Sequence, residues 1–109
     1  MKQFPKKLKI LGVPYKVFYV NNLREADTEG KDEVFGSISH CDKIIKIYIK
    51  PPRPSEAIFI TLIHEIIHAI LNDAGLDFAD EMREEHVIKT LASCFVSFLV
   101  DNKFVELPK

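Results

Sequence analysis

The chain has 109 residues, 47% hydrophobic and 28% charged, with a formal net charge of −1. A single domain over residues 1–109 can bury well over half of its unfolded surface, so a core needs no disulfide staples and intrinsic disorder is excluded. Near-neutral charge without a long basic run argues against a nucleic-acid partner.

Met1 to Lys7 leads into only a short apolar patch, broken by Gly12 and Pro14, which is neither a signal peptide nor a membrane span. Cys41 and Cys94 stand in apolar neighbourhoods without C-x-x-C spacing. Buried free thiols in a reducing cytosol are the expectation, with a disulfide between them left open. The expected setting is cytoplasmic, with no membrane partner.

Lys6 to Val20 reads as strand, turn, strand: Leu8, Ile10, Val13, Tyr15, Val17 and Tyr19 alternate, and Gly12-Val13-Pro14 interrupts them. Asn21 to Asp32 is polar, with Asn21-Asn22 and Glu29-Gly30-Lys31 as turn signals, and reads as a loop with room for one helical turn. Val34 to Cys41 and Ile44 to Lys50 form a second hairpin, turning at Cys41-Asp42-Lys43. Ile45, Ile47 and Ile49 share one face, and Lys46, Tyr48 and Lys50 the other, the pattern of an antiparallel sheet packed on helices. If that strand forms an edge, it can pair with an extended peptide. Pro51-Pro52-Arg53-Pro54 ends it, since proline cannot donate to a ladder.

Ser55 is the expected N-cap of a helix running to about Ala74 and stopped by Gly75. Its apolar arc holds Ile58, Phe59, Leu62, Ile63, Ile66, Ile67 and Ile70, with His64 and His68 roughly opposite the middle and Glu65 at one edge. His64-Glu65-Ile66-Ile67-His68 is a His-Glu-x-x-His pattern, which arises by chance in about one chain in several hundred of this length. Residues four apart lie roughly 40° apart around a helix, so both imidazoles can reach one tetrahedral zinc that keeps a position open for water. Glu65 then sits beside the metal, where it can take a proton from the bound water. Partial burial there would raise its pKa, as a base near neutrality requires.

Two histidines alone hold zinc weakly, so a third protein ligand is expected. The three-histidine variant is absent, because Leu71 and Ala74 stand where Gly and His would be. Asp77-Phe78-Ala79-Asp80 links to a second helix, Glu81 to about Asn102, whose Val87, Ile88, Leu91, Ala92, Phe95, Val96, Phe98 and Leu99 read as a core face. Phe104 to Leu107 adds a short strand or docks. Glu81, Glu84, Glu85 and His86 cluster where the second helix starts, and helical phase places Glu84 near the centre of the apolar arc and Glu85 nearer its margin.

Thr61 to Ala74, together with Glu84 to Ala92 and Leu99-Val100-Asp101-Asn102, resembles the small phage-associated zincin-like metallopeptidases. Those proteins pair a His-Glu-x-x-His helix with a helix that opens in acidic residues and closes on Asp-Asn. More distantly, the chain is similar to the repressor-clipping metallopeptidases. The resemblance implies His64 and His68 as zinc ligands, Glu65 as the base, and Glu85 as the third ligand ahead of Glu84, His86 and Glu81. His40 and Tyr48 are candidates to contact substrate or an oxyanion.

The sequence thus predicts an α+β domain, a small antiparallel sheet of two hairpins on two main helices. It predicts a Zn2+-dependent hydrolase, and the resemblance makes the substrate a protein or peptide. The competing expectation is a zinc-stabilised binding or regulatory module without turnover.

Overall fold

A computed structural model describes residues 3–28, 30, 34–50, 53–76 and 79–108. The turn signals at Glu29 and Lys31, the stop at Pro51-Pro52 and the Asp77-Phe78 part of the helix link lie outside these residues. The elements run β1 (Lys7–Ile10), β2 (Val13–Val20), β3 (Gly36–Ser39), β4 (Ile44–Tyr48), α1 (Ser55–Asp73) and α2 (Glu81–Asp101). Four strands in the order β1-β2-β4-β3 form one sheet, and the helices pack together with it in an α+β arrangement.

The first hairpin turns on Leu11 and Gly12, both at positive φ (49° and 81°), the backbone a two-residue turn between right-twisted strands requires. Pro14 sits opposite Lys9, and pairing with β4 begins only at Lys16, so its missing N–H withdraws nothing from that ladder. The second hairpin is antiparallel too, but the hairpins join through a parallel pair, Lys16↔Ile44 to Val20↔Tyr48. The sheet is therefore mixed. The cause is the loop after β2, which carries the chain to the far edge, lays down β3 there and returns β4 between β3 and β2. That loop includes a helical turn (Ala26 N–H to Asn22 O, 3.2 Å) and buries Ala26. Ser37 on the outer face of β3 fastens it, accepting from Thr28 N at 2.9 Å and donating to the Ala26 carbonyl. Consequently β4 is an inner strand and cannot be the peptide-pairing edge; β3 and β1 are the edges.

Tyr15, Val17, Ile45 and Ile47 of the two inner strands form the floor of the core, with Ile10 beside them. Onto this floor α1 lays Ile58, Phe59, Leu62, Glu65 and Ala69. The buried stripe is displaced from the apolar arc the sequence suggests: Ile63 and Ile66 are only partly buried, Ile70 is 38% exposed, and Glu65 takes a core position. The expected Ser55 cap is not made. Pro54 occupies the N-cap position, and the Ser55 hydroxyl donates to the Pro108 carbonyl, holding the C-terminal segment against the helix start. At the other end Gly75 adopts φ 75°, with Gly75 N–H on Asn72 O and Leu76 N–H on Leu71 O, a Schellman closure. By length and composition α1 could cross a bilayer. Here it is the core helix of a globular domain, packed on the sheet and on α2.

Asp80 caps α2, its side chain accepting from Met82 N and Arg83 N at 3.0 and 3.2 Å. Only Ile88, Ala92 and Val96 of α2 are fully buried. Leu91, Phe95 and Phe98, expected in the core, are about half exposed, because the helix touches α1 along one stripe and its other apolar side meets little more than the Phe104 ring, stacked on Phe98 at 5.8 Å between centroids. Phe104 to Leu107 forms no strand; Val105 and Leu107 dock on the core. Cys41 and Cys94 are free, as expected, but exposed rather than buried.

Candidate metal centre

Because α2 returns along α1, its first turns lie beside the last turns of α1, and Glu85 meets both histidines. His64 Nε2 lies 2.7 Å from Glu85 Oε1, and His68 Nε2 lies 2.9 Å from Glu85 Oε2. The two Nε2 atoms are 3.2 Å apart, on rings inclined at 53°. Tetrahedral zinc with ligands at 2.0–2.1 Å separates neighbouring donor atoms by about 3.3 Å, close to the spacing of the two Nε2 atoms, while Glu85 offers one oxygen to each ring at hydrogen-bond distance. His64, His68 and Glu85 form a group able to hold a metal ion.

Both imidazoles must be neutral to ligate. Burial holds His64 below its ordinary value, partly opposed by the Glu85 carboxylate and aided by His68. The Glu85 side chain is 54% exposed, which leaves the centre open toward solvent on that side.

Glu65 is 7% exposed, and its carboxyl has a pKa pushed up to about 8, first by desolvation and then by the negative charge of Glu85. Its burial depends on a close approach of β3. A Cβ on Gly36 would fall 2.6 Å from Thr61 Cγ2 and 3.4 Å from Glu65 Oε2. Only glycine lets the strand lie this near α1 without displacing Thr61. Arg53 braces the same wall, donating to Thr61 Oγ1 at 2.9 Å and to the Tyr48 carbonyl, with its guanidinium 4.7 Å from the Phe35 ring centroid.

Cavities flank the centre on two sides. The smaller, about 440 Å³, is lined by Phe35, Gly36, Ile60, His64, Glu65 and Glu85 among others. The larger, about 810 Å³, is lined by His40, His68, Asn72, Leu76, Glu84 and Glu85 among others. Glu85 belongs to both walls.

The sequence candidates are thus sorted by position. His64, His68 and Glu85 converge, and Glu65 opens onto the same cavity as His64. Glu84 and Glu81 line the larger cavity without joining the cluster, and His86 is exposed and lines neither. His40 reaches the larger cavity. Tyr48 does not reach the centre; its ring lies 6.1 Å from that of Phe35, centroid to centroid. Gly36 went unnoticed in the sequence, although an isolated glycine inside a strand pattern signals a close backbone approach. Arg53 and Thr61 carried no such signal.

No protein-family model, curated protein or solved structure matches the chain.

Proposed function

We propose that the chain is a zinc-dependent peptidase in which His64, His68 and Glu85 hold the ion and Glu65 is the general base. The observation that carries this reading is the convergence of His64, His68 and Glu85, with ligand atoms within 4.8 Å of one another, beside a buried carboxylate that opens onto the same cavity as His64. Zinc held there would supply a water of lowered pKa and a Lewis acid for the substrate carbonyl. Glu65 would accept the proton of that water and deliver it to the leaving amine. Glu65, next to a ligand in the sequence, would be held as the carboxylate by the charge of an ion in the site.

Metal-assisted hydrolysis is all that these residues support by their own chemistry. The resemblance to the small phage-associated zincin-like metallopeptidases, and more distantly to the repressor-clipping ones, makes the substrate a protein or peptide. A cytoplasmic setting without a nucleic-acid or membrane partner accords with the near-neutral charge and the exposed free cysteines.

A second reading, a zinc-stabilised binding module without turnover, is favoured by one feature. Leu91, Phe95 and Phe98 make an exposed apolar stripe on α2, as a docking face would. Incubating the zinc-loaded chain with a proteome-derived peptide mixture, with and without chelator, separates the readings. New peptide termini by mass spectrometry that vanish with chelator are expected; their absence under both conditions leaves the binding module.

A further inference from the structure

One histidine in the larger cavity lies outside the metal cluster. His40 sits in the turn between β3 and β4 and lines the wall shared by His68 and Glu85. This turn meets the end of α1 through Lys43, whose Nζ lies 3.5 Å from Asp73 Oδ1. The turn that carries His40 therefore lies against the end of the metal-bearing helix.

His40 Nδ1 is buried and has no hydrogen-bond partner among the described residues. A buried bare lone pair costs less than a buried orphan N–H, so the neutral ring keeps its proton on Nε2. Burial and the neighbouring His68 favour that neutral form. No described residue is hydrogen-bonded to Nε2, and the residue lines the larger cavity, so an N–H there is free to serve what fills it. Glu65 opens onto the smaller cavity and His40 lines the larger, with the donor cluster between them. A peptide lying across the centre would have the base on one side and an N–H donor on the other.

We propose that His40 is a further catalytic residue whose Nε2–H donates to the carbonyl oxygen of a bound peptide as negative charge builds there. The proposal rests on the peptidase reading. His40 makes and breaks no covalent bond and keeps its proton throughout; its contribution is a fixed donor, stronger for the charged oxygen than for the ground-state carbonyl.

The test uses the zinc-loaded full chain, a quenched fluorescent peptide built on a cleavage site of the wild type, and N-phosphoryl-leucinamide as a charged tetrahedral mimic. His40→Ala is expected to lower kcat about 100-fold, with KM changed less than about threefold and zinc content unchanged. Affinity for N-phosphoryl-leucinamide should fall in parallel with kcat. His40→Gln, which retains an N–H donor, should recover part of the loss, and His40→Leu, which fills the ring's space, serves if the alanine variant does not fold. Unchanged kcat in the alanine or leucine variant, or a loss confined to KM, would overturn the assignment. So would a loss of zinc, which would make His40 a ligand. A wild type that takes up zinc but cleaves no peptide overturns the peptidase reading itself, and this role with it.

Discussion

The two helices carry similar apolar periodicity and are used differently. On α1 the sheet covers one side and α2 another, and a carboxylate, Glu65, is pressed into the buried stripe while Ile70 is left 38% exposed. On α2 only a single stripe of Ile88, Ala92 and Val96 is covered, and large apolar side chains remain in solvent although no polar group is buried. Hydrophobicity thus defines which residues are available for the core. The rotation of α1 is the one that turns His64 and His68 toward Glu85 and puts Glu65 beneath Gly36. Burying an ionisable group in place of an isoleucine costs stability, and a site that needs a raised carboxyl pKa gives that cost a use.

The contrast is sharpened most by Glu65→Gln. Hydrolysis should fall by at least about a thousandfold with zinc retained, measured as kcat on a cleaved peptide beside metal content. The same variant tests the burial. Glu65 keeps its proton in the metal-free fold up to about pH 8, whereas the unfolded chain releases it near 4.5. Metal-free stability from this group is therefore complete below pH 4.5 and declines as pH rises to about 8. His64, held low by burial, contributes the opposite slope, costing stability as pH falls below its unfolded value. The difference between wild type and Glu65→Gln in urea unfolding across this range isolates Glu65. The variant should gain stability on the order of a few kcal/mol at pH 8, and a flat difference would show that the carboxyl is not desolvated.

His68→Ala should weaken zinc binding at least about a hundredfold by competition with a chromophoric chelator, because it leaves only two protein donors. Among changes that act on packing alone, Ile88→Ala on the covered stripe of α2 should cost about 2–4 kcal/mol in chemical denaturation. Gly36→Ala follows, at about 1–3 kcal/mol, because the new methyl meets Thr61 Cγ2 at 2.6 Å; its larger signature is a drop in kcat as β3 moves off Glu65. Smallest is Phe95→Ser on the uncovered side of α2, within about 0.5 kcal/mol. A cost near that of Ile88→Ala would mean that this face is covered in solution.

Much of this organisation could be read from residue patterns, and the parts that could not share a cause. Both hairpins, both helices and the Gly75 stop follow from local signals: alternation, helical spacing and a residue able to adopt positive φ. The parallel join of β2 to β4 has no local signature, since it follows from where a fifteen-residue loop, 21–35, lets the chain re-enter the sheet. The inner position of β4, the rotation of α1 and the half-bare α2 likewise depend on what packs against what. Within the site, His64, His68 and Glu65 are fixed by their spacing on one helix. Helical phase places Glu84 near the arc centre, while Glu85 is the residue that meets the histidines, because their meeting lies at the margin of the helix contact rather than in its middle. Ser55 fits an N-cap by local pattern and instead holds Pro108, a contact across the chain that no local rule anticipates.

The most direct test is metal analysis of the chain prepared without a histidine tag, equilibrated with zinc and freed of excess by gel filtration. Close to one zinc per chain is expected, lost on the change of Glu85 to Gln as it is on His68→Ala. Less than about a tenth of an equivalent in the wild type, with no uptake on adding zinc, would contradict the account at its root.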